Sequence, residues 1–182
     1  MIVREQVSLA PFTSLHIGGP ARFFIEVRSE KDVLDAALLA REQGLPLLSL
    51  GSGSNILVPD EGVDAVVVRM TMDTIAFERE GGGMLVVAHA GAVWDHVVAQ
   101  AGARGLWGIE NLAGIPGSVG GALVQNIGAY GAELSDVFAY ADAIDTTTGT
   151  VMRITQSTAE LGYRSSMFKR RRELVITRVA LT

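Results

Sequence analysis

Two glycine-rich stretches carry the residues best suited to chemistry, GSGSN at 51–55 and GIPGSVGG at 114–121. Glycine lets backbone N–H groups turn inward and approach an anion, and serine and asparagine add side-chain donors. The first stretch follows a short apolar run, the place for an anion-binding loop after a buried strand. It is not a Walker loop, since no Gly-Lys-Ser/Thr follows, nor a dinucleotide fingerprint, since GxGxxG requires glycine where Ile56 stands. By itself 51–55 reads equally well as an ordinary tight turn. The second stretch continues as ALVQNIGAYG, so that Gly114–Gly131 holds six glycines, one proline and no charged side chain. Glycine costs roughly 0.5–1 kcal/mol relative to alanine inside a regular element, and a plain surface loop would be polar. Together the two loops would enclose a ligand bearing phosphate and a planar, partly apolar ring, held mainly by backbone dipoles. The amides of Gln125 and Asn126 suit the polar edge of such a ring. The alternative is a glycine-rich crossover packed tightly in the core.

Other chemistries are poorly supplied. There is no cysteine, which removes disulfides, thiolate catalysis and cysteine-ligated metal. The three histidines, at 16, 89 and 96, have no metal-ligand spacing, and no metal site is expected. A net charge of −5 gives no electrostatic reason to expect nucleic acid. The one basic run, KRRR at 169–172, reads as a solvated turn before a final strand. No run of about 20 apolar residues is present, and the opening MIVREQVSLAPFTSL lacks the apolar centre of a signal peptide. These features predict no membrane partner and a cytoplasmic location. Nothing in them bears on oligomeric state.

The elements that must position the two loops follow from periodicity. ARFFIEV (21–27) reads as a strand. Ser29 opens a helix with Asp32 at capping-box spacing, an apolar stripe of Val33, Leu34, Ala37 and Leu38, and a stop at Gly44 and Pro46. LPLLSL (45–50) reads as a strand buried on both faces, and AVVVRM (65–70) as a second. Residues 74–91 form a hairpin turning at Gly81–Gly83, 92–105 a helix, 137–155 two strands around a Thr-Thr-Gly turn, and 174–181 a last strand. The 182 residues, 48% hydrophobic, make one large or two small domains. A division near 70–72 separates an α/β opening, 1–70, from a hairpin-led part, 71–182.

At these loops the sequence resembles the UDP-N-acetylenolpyruvoylglucosamine reductase (MurB) family. The carrying stretches are GSGSNIL (51–57), GLWGIENLAGIPGSVGGALVQNIGAYGAEL (105–134), LGYRSSMFK (161–169) and, at the start, TSLHIGGPARFF (13–24). The resemblance implies an α+β fold, the FAD-binding fold of the vanillyl-alcohol oxidase/PCMH type. Two α+β subdomains, 1–70 and 71–182, would hold the flavin between them in one domain of about 15–182. It implies non-covalent FAD, with Gly51, Ser52, Gly53, Ser54 and Asn55 at the pyrophosphate. Gly114, Ile115, Pro116, Gly117, Ser118, Gly120 and Gly121 would line the other side, and Asn126, Gly128, Ala129 and Tyr130 would lie near the flavin or ribityl chain. It implies reduction of UDP-N-acetylglucosamine enolpyruvate to UDP-N-acetylmuramate with NADPH, in peptidoglycan precursor synthesis. Arg164 would be the catalytic guanidinium on the substrate carboxylate, with Tyr163 beside it in the substrate pocket. The family's proton-donating serine, late glutamate and C-terminal substrate domain have no counterpart in the matched stretch, so a truncated form is expected. Ser165 and Ser166 do not correspond to the donor. A non-catalytic flavin-binding module and an oxidase of the same fold are the competing readings.

Overall fold

Residues 1–70 alternate extended apolar runs with one amphipathic helix, and they fold as one sheet with that helix against it. The computed structural model describes Met1–Thr182. Its first sheet contains β1 (Val3–Ser8), β2 (Pro20–Val27), β3 (Leu47–Leu50) and β4 (Val63–Met70), in the order β1-β2-β4-β3. β1 runs antiparallel to β2, while β2 and β3 both run parallel to β4. The central β4 is buried on both faces: Val66 and Val68 enter the main core, and Ala65 and Val67 a smaller cluster with Leu9, Phe24, Leu50 and Val58.

The helix α1 (Glu30–Gln43) connects β2 to β3. Ser29 Oγ accepts from the Asp32 N–H at 3.2 Å, and the Asp32 carboxylate accepts from the Arg28 N–H at 3.0 Å, one residue further back than a capping box reaches. Gly44, at φ +65°, closes the other end in the left-handed conformation. The buried face is Val33, Ala36, Ala37 and Ala40. Leu34 and Leu38, expected in the stripe, are 36% and 52% exposed. The spacing i, i+3, i+4, i+7 from Val33 selects the alanines, whose small side chains bring the helix close to the sheet.

The second sheet is antiparallel throughout, in the order β10-β9-β11-β6-β5. Its strands are β5 (Ile75–Glu80), β6 (Gly83–His89), β9 (Phe138–Asp145), β10 (Val151–Thr155) and β11 (Leu174–Leu181). Gly81 and Gly82, at φ +56° and +85°, make the two-residue turn between β5 and β6. Gly83, placed in the turn by the sequence, is already in β6. Between β6 and β9 lie α2 (Trp94–Gly102), α3 (Val119–Gln125) and the short pair β7 (Gly128–Ala129) and β8 (Ala132–Glu133). The main core draws on both sheets and all three helices, so the two sheets share one interior. Trp94 is fully buried there, and its indole N–H donates to the Leu112 carbonyl at 3.0 Å.

Three local expectations need correction. The helix expected over 92–105 is Trp94–Gly102. The stretch 45–50 is an edge strand, not a doubly buried one: Leu48 and Ser49 are exposed. The bare stretch 114–131 is not all loop, because seven of its residues form α3. Ser118 caps α3, accepting from the Gly121 N–H at 3.4 Å, and Asn126 ends it at φ +41°. Gly120 lets α3 pack closely on the end of β6, since a Cβ there would lie 3.0 Å from Ala90 Cβ.

Candidate functional site

The free edge of β3 and the loop after it form one wall of a cleft of about 680 Å³, within the usual size of a cofactor pocket. The opposite wall is the 115–118 loop and α3, with Leu174 and Ile176 of β11 and Phe168 behind. The exposed Leu48 thus faces a cleft, which is why an apolar run reads as core in the sequence. The two glycine loops are tied together: the Ser54 hydroxyl donates to the Pro116 carbonyl at 3.0 Å. A Cβ on Gly51 would come 2.3 Å from Ser118 Oγ, so glycine there sets how closely the loops approach. Gly53, at φ +70°, is needed for a different reason. A Cβ would fall 1.9 Å from the Phe12 carbonyl oxygen, and the Gly53 carbonyl accepts from the Ser14 N–H at 3.1 Å. It locks the loop onto the segment before β2.

None of the N–H groups of Gly51–Asn55 donates to another backbone group, and neither do those of Ile115, Gly117 and Ser118. Backbone donors in folded proteins are nearly always satisfied by protein or water. Eight donors without a protein acceptor, on residues that line one cleft, are the composition an anion cradle requires. No carboxylate lines it, and its only charged side chains are Arg164 and Arg172.

Most of the residues singled out in the sequence meet here: Gly51 to Asn55, Ile115 to Ser118, Gly120, Gly121, Gly128, Ala129 and Arg164 all line the cleft. Gly114, Asn126, Tyr130 and Tyr163 do not. The Gly114 N–H donates to Asp95 at 2.8 Å. Tyr130 and Tyr163 are 88% and 83% exposed. Asn126 is fully buried, and its side chain bonds Glu133, the Gly162 carbonyl and the Ser135 N–H at 2.9–3.0 Å. It is a strut that fixes the turn carrying Arg164 and makes no contact with the cleft. That turn is closed by reciprocal Gly162–Ser165 backbone bonds of 3.0 Å, with Arg164 at φ +50°. The Arg164 guanidinium leans on the Gly128 carbonyl, and on the Asn126 carbonyl at 3.5 Å. It has no carboxylate partner. Ser166 is buried and donates to the Val124 carbonyl at 2.9 Å.

Sequence reasoning missed Arg172 and the leucines of β3. The sequence held little signal for Arg172, which closes a basic run in the turn before β11. A second concavity, about 670 Å³, is lined by Arg28, Ser29, Glu30, Lys31, Thr71 to Thr74, His89 and Arg178. Its cations are already paired, Arg28 with Glu26 at 3.7 Å, Lys31 with Asp35 at 2.5 Å and Arg178 with Asp142 at 3.0 Å.

FAD needs a donor cradle for its pyrophosphate, an apolar slot for its rings and no carboxylate against its phosphates, and the first cleft supplies all three. A family model described as FAD binding domain matches residues 21–155, and the chain belongs to that family. Its fold is that of the vanillyl-alcohol oxidase type. Cholesterol oxidase from Brevibacterium sterolicum has a TM-score of 0.70 at 19% identity, covering 100% of this chain and 37% of that one. A VAO-type flavoprotein from Myceliophthora thermophila has 0.67 at 17%, covering 94% and 34%. At those identities the likeness concerns the fold.

The more particular similarity is to UDP-N-acetylenolpyruvoylglucosamine reductase. The Pseudomonas aeruginosa protein is 44% identical over 168 residues, 92% of this chain and 49% of the relative. The crystal structure of the Thermus caldophilus reductase has a TM-score of 0.81 at 31% identity, covering 100% of this chain and 62% of that one. The chain spans about half the length of the curated relatives it matches. No helix is long and apolar enough to cross a membrane.

Proposed function

We propose that this chain is the FAD-holding part of an NADPH-dependent reductase that converts UDP-N-acetylglucosamine enolpyruvate to UDP-N-acetylmuramate, in the cytoplasm, for peptidoglycan precursors. The observation that carries the proposal is the cleft itself: eight free backbone donors and two unpaired guanidinium groups with no carboxylate. The 44% identity to the Pseudomonas aeruginosa reductase supplies the substrate class. Bound FAD supplies hydride chemistry.

The residues of this chain would then divide the work. Residues 51–55, 115, 117 and 118 bind the pyrophosphate through N–H groups that no protein acceptor occupies. β3 and the start of β11 exclude water from the rings. Arg164 is positioned by the Asn126 strut and the Gly128 carbonyl, and its remaining N–H groups grip the substrate carboxylate. Negative charge builds there, as an enolate, while the enolpyruvyl double bond is reduced, and a fixed guanidinium stabilises it. Arg164→Ala is expected to leave flavin content intact and to lower turnover by about 10²-fold, the scale of losing one oxyanion donor.

A flavin-binding module without turnover is the second reading. It is favoured by the lining of the cleft, which offers backbone donors but no carboxylic acid, histidine or tyrosine to deliver a proton. The test is absorbance at roughly 350–500 nm, where bound flavin shows, followed by anaerobic NADPH and then the enolpyruvyl UDP-sugar. Bleaching by NADPH and recovery with the sugar support the reductase. Flavin that NADPH does not bleach supports the module, and no flavin uptake contradicts both.

A further inference from the structure

We infer that Arg172 binds the adenylate half of FAD and makes this cleft select the dinucleotide over flavin mononucleotide. The inference rests on the FAD reading above. In the run 169–172 three cations are already engaged. Lys169 Nζ donates to Gln125 Oε1 at 2.8 Å and to the Arg164 carbonyl at 2.5 Å, Arg170 pairs with Glu160, and Arg171 pairs with Glu173. Arg172 alone makes neither an ion pair nor a hydrogen bond, and it lines the cleft.

The turn before β11 explains the difference. Arg172 lies in that turn, exposed, and lines the cleft together with Leu174 and Ile176, which close its floor and also belong to the main core. Neighbouring backbone contacts set which end of the cleft Arg172 serves. The Glu173 carbonyl accepts from the Thr146 N–H at 2.9 Å, and the Thr147 carbonyl accepts from Arg41, in the last turn of α1, at 3.1 Å. α1 leads through Gly44 directly into β3. Arg172 therefore belongs with the Leu47–Leu48 end, whereas Arg164 is held at the Gly128 end by that residue's carbonyl.

With the free N–H groups of 51–55 between them, the cleft has three stations: Arg164, the backbone cradle, and Arg172 beside an apolar slot. A dinucleotide has matching parts, with the redox ring at Arg164, the pyrophosphate in the cradle and the adenylate at Arg172. A guanidinium serves the adenylate either by stacking on the purine or by pairing with its phosphate.

The test titrates the flavin-free protein with FAD, flavin mononucleotide and riboflavin, following flavin fluorescence. Arg172→Ala is expected to weaken FAD about tenfold, the scale of losing one hydrogen bond from a charged group, and to leave mononucleotide and riboflavin affinity unchanged. Arg172→Lys, which keeps charge but loses the planar fork, recovers part of the FAD affinity. Thermal unfolding of the flavin-free Arg172→Ala variant matches the parent, because Arg172 makes no internal ion pair. Unchanged FAD affinity overturns the inference. Equal weakening of all three flavins also overturns it, since the effect would then be on the fold. A parent chain that binds none of the three contradicts the FAD reading itself, a result distinct from either.

Discussion

Met70 lines one concavity and Thr71 the other, and the two are nearly equal in size, about 680 and 670 Å³. Their chemistry is opposite. The first is glycine backbone and aliphatic side chains, with two guanidinium groups that no carboxylate neutralises. The second is almost wholly polar, but its arginines and lysine are each matched by an acid, and Glu30 and Asp73 line it as well. A site that must attract an anion keeps donors free, and a site that closes a surface uses them internally. Volume does not distinguish the two. What each donor is already bonded to does.

The comparison predicts that the first cleft breaks when backbone space is filled. Gly53→Val has the largest effect, because the position combines φ +70° with a Phe12 oxygen 1.9 Å from any Cβ. A loss of about 3 kcal/mol or more is expected, read by denaturant unfolding, together with loss of flavin uptake. Next comes Asn126→Ala. It leaves the half-buried Ser135 N–H without its acceptor and removes the bonds to Glu133 and the Gly162 carbonyl, at a cost of about 2 kcal/mol. A change under about 0.5 kcal/mol in the same unfolding experiment would show that the strut is not needed.

Gly51→Ala is smaller. It pushes Ser118 Oγ off the Gly121 N–H and removes the α3 cap, worth about 1 kcal/mol. FAD affinity should fall further than stability does, which titration and unfolding of one sample separate.

The smallest effect is one of pH, and it divides the two regions. Asp32 stands at the head of α1 beside the polar concavity. Burial pushes its carboxyl up, but hydrogen bonds from the Arg28 N–H and the Ser29 side chain, with the terminal ammonium, outweigh that and hold it below its ordinary value. A depressed native pKa gives stability that is present above the unfolded value, about 3.9, and lost as pH falls through the native one. Acid unfolding monitored at α1 should show that loss, and Asp32→Asn should abolish it. The first cleft has no carboxylate, so if it holds FAD the affinity at constant ionic strength should be flat from about pH 8 to about pH 5.

The glycine loops and the buried β4 were legible because each rests on local chemistry: turn residues and β-branched runs. Arg164 needed the family resemblance, since an arginine alone reads as a surface pair. The errors have one physical origin. Leu48 reads as core because a sequence does not distinguish a strand that packs on protein from one that packs on a cleft. Leu34 and Leu38 read as the helix stripe because larger side chains outweigh alanines in any hydrophobic count, although close packing on the sheet selects the alanines. Asn126 reads as a ligand contact because its amide suits a polar ring, and only the fold shows Glu133, Gly162 and Ser135 already using it. β1 was missed since VREQVS is mostly polar, as befits a strand at the sheet edge with exposed residues.

Hydrogen–deuterium exchange with and without FAD tests the central claim most directly, because that claim concerns which backbone N–H groups are free. The account predicts fast exchange at 51–55, 115, 117 and 118 in the flavin-free protein, strong protection there when FAD binds, and no change at 28–31 and 71–74. Protection that appears at 28–31 and 71–74 instead, or none at 51–55 with FAD bound, would contradict it.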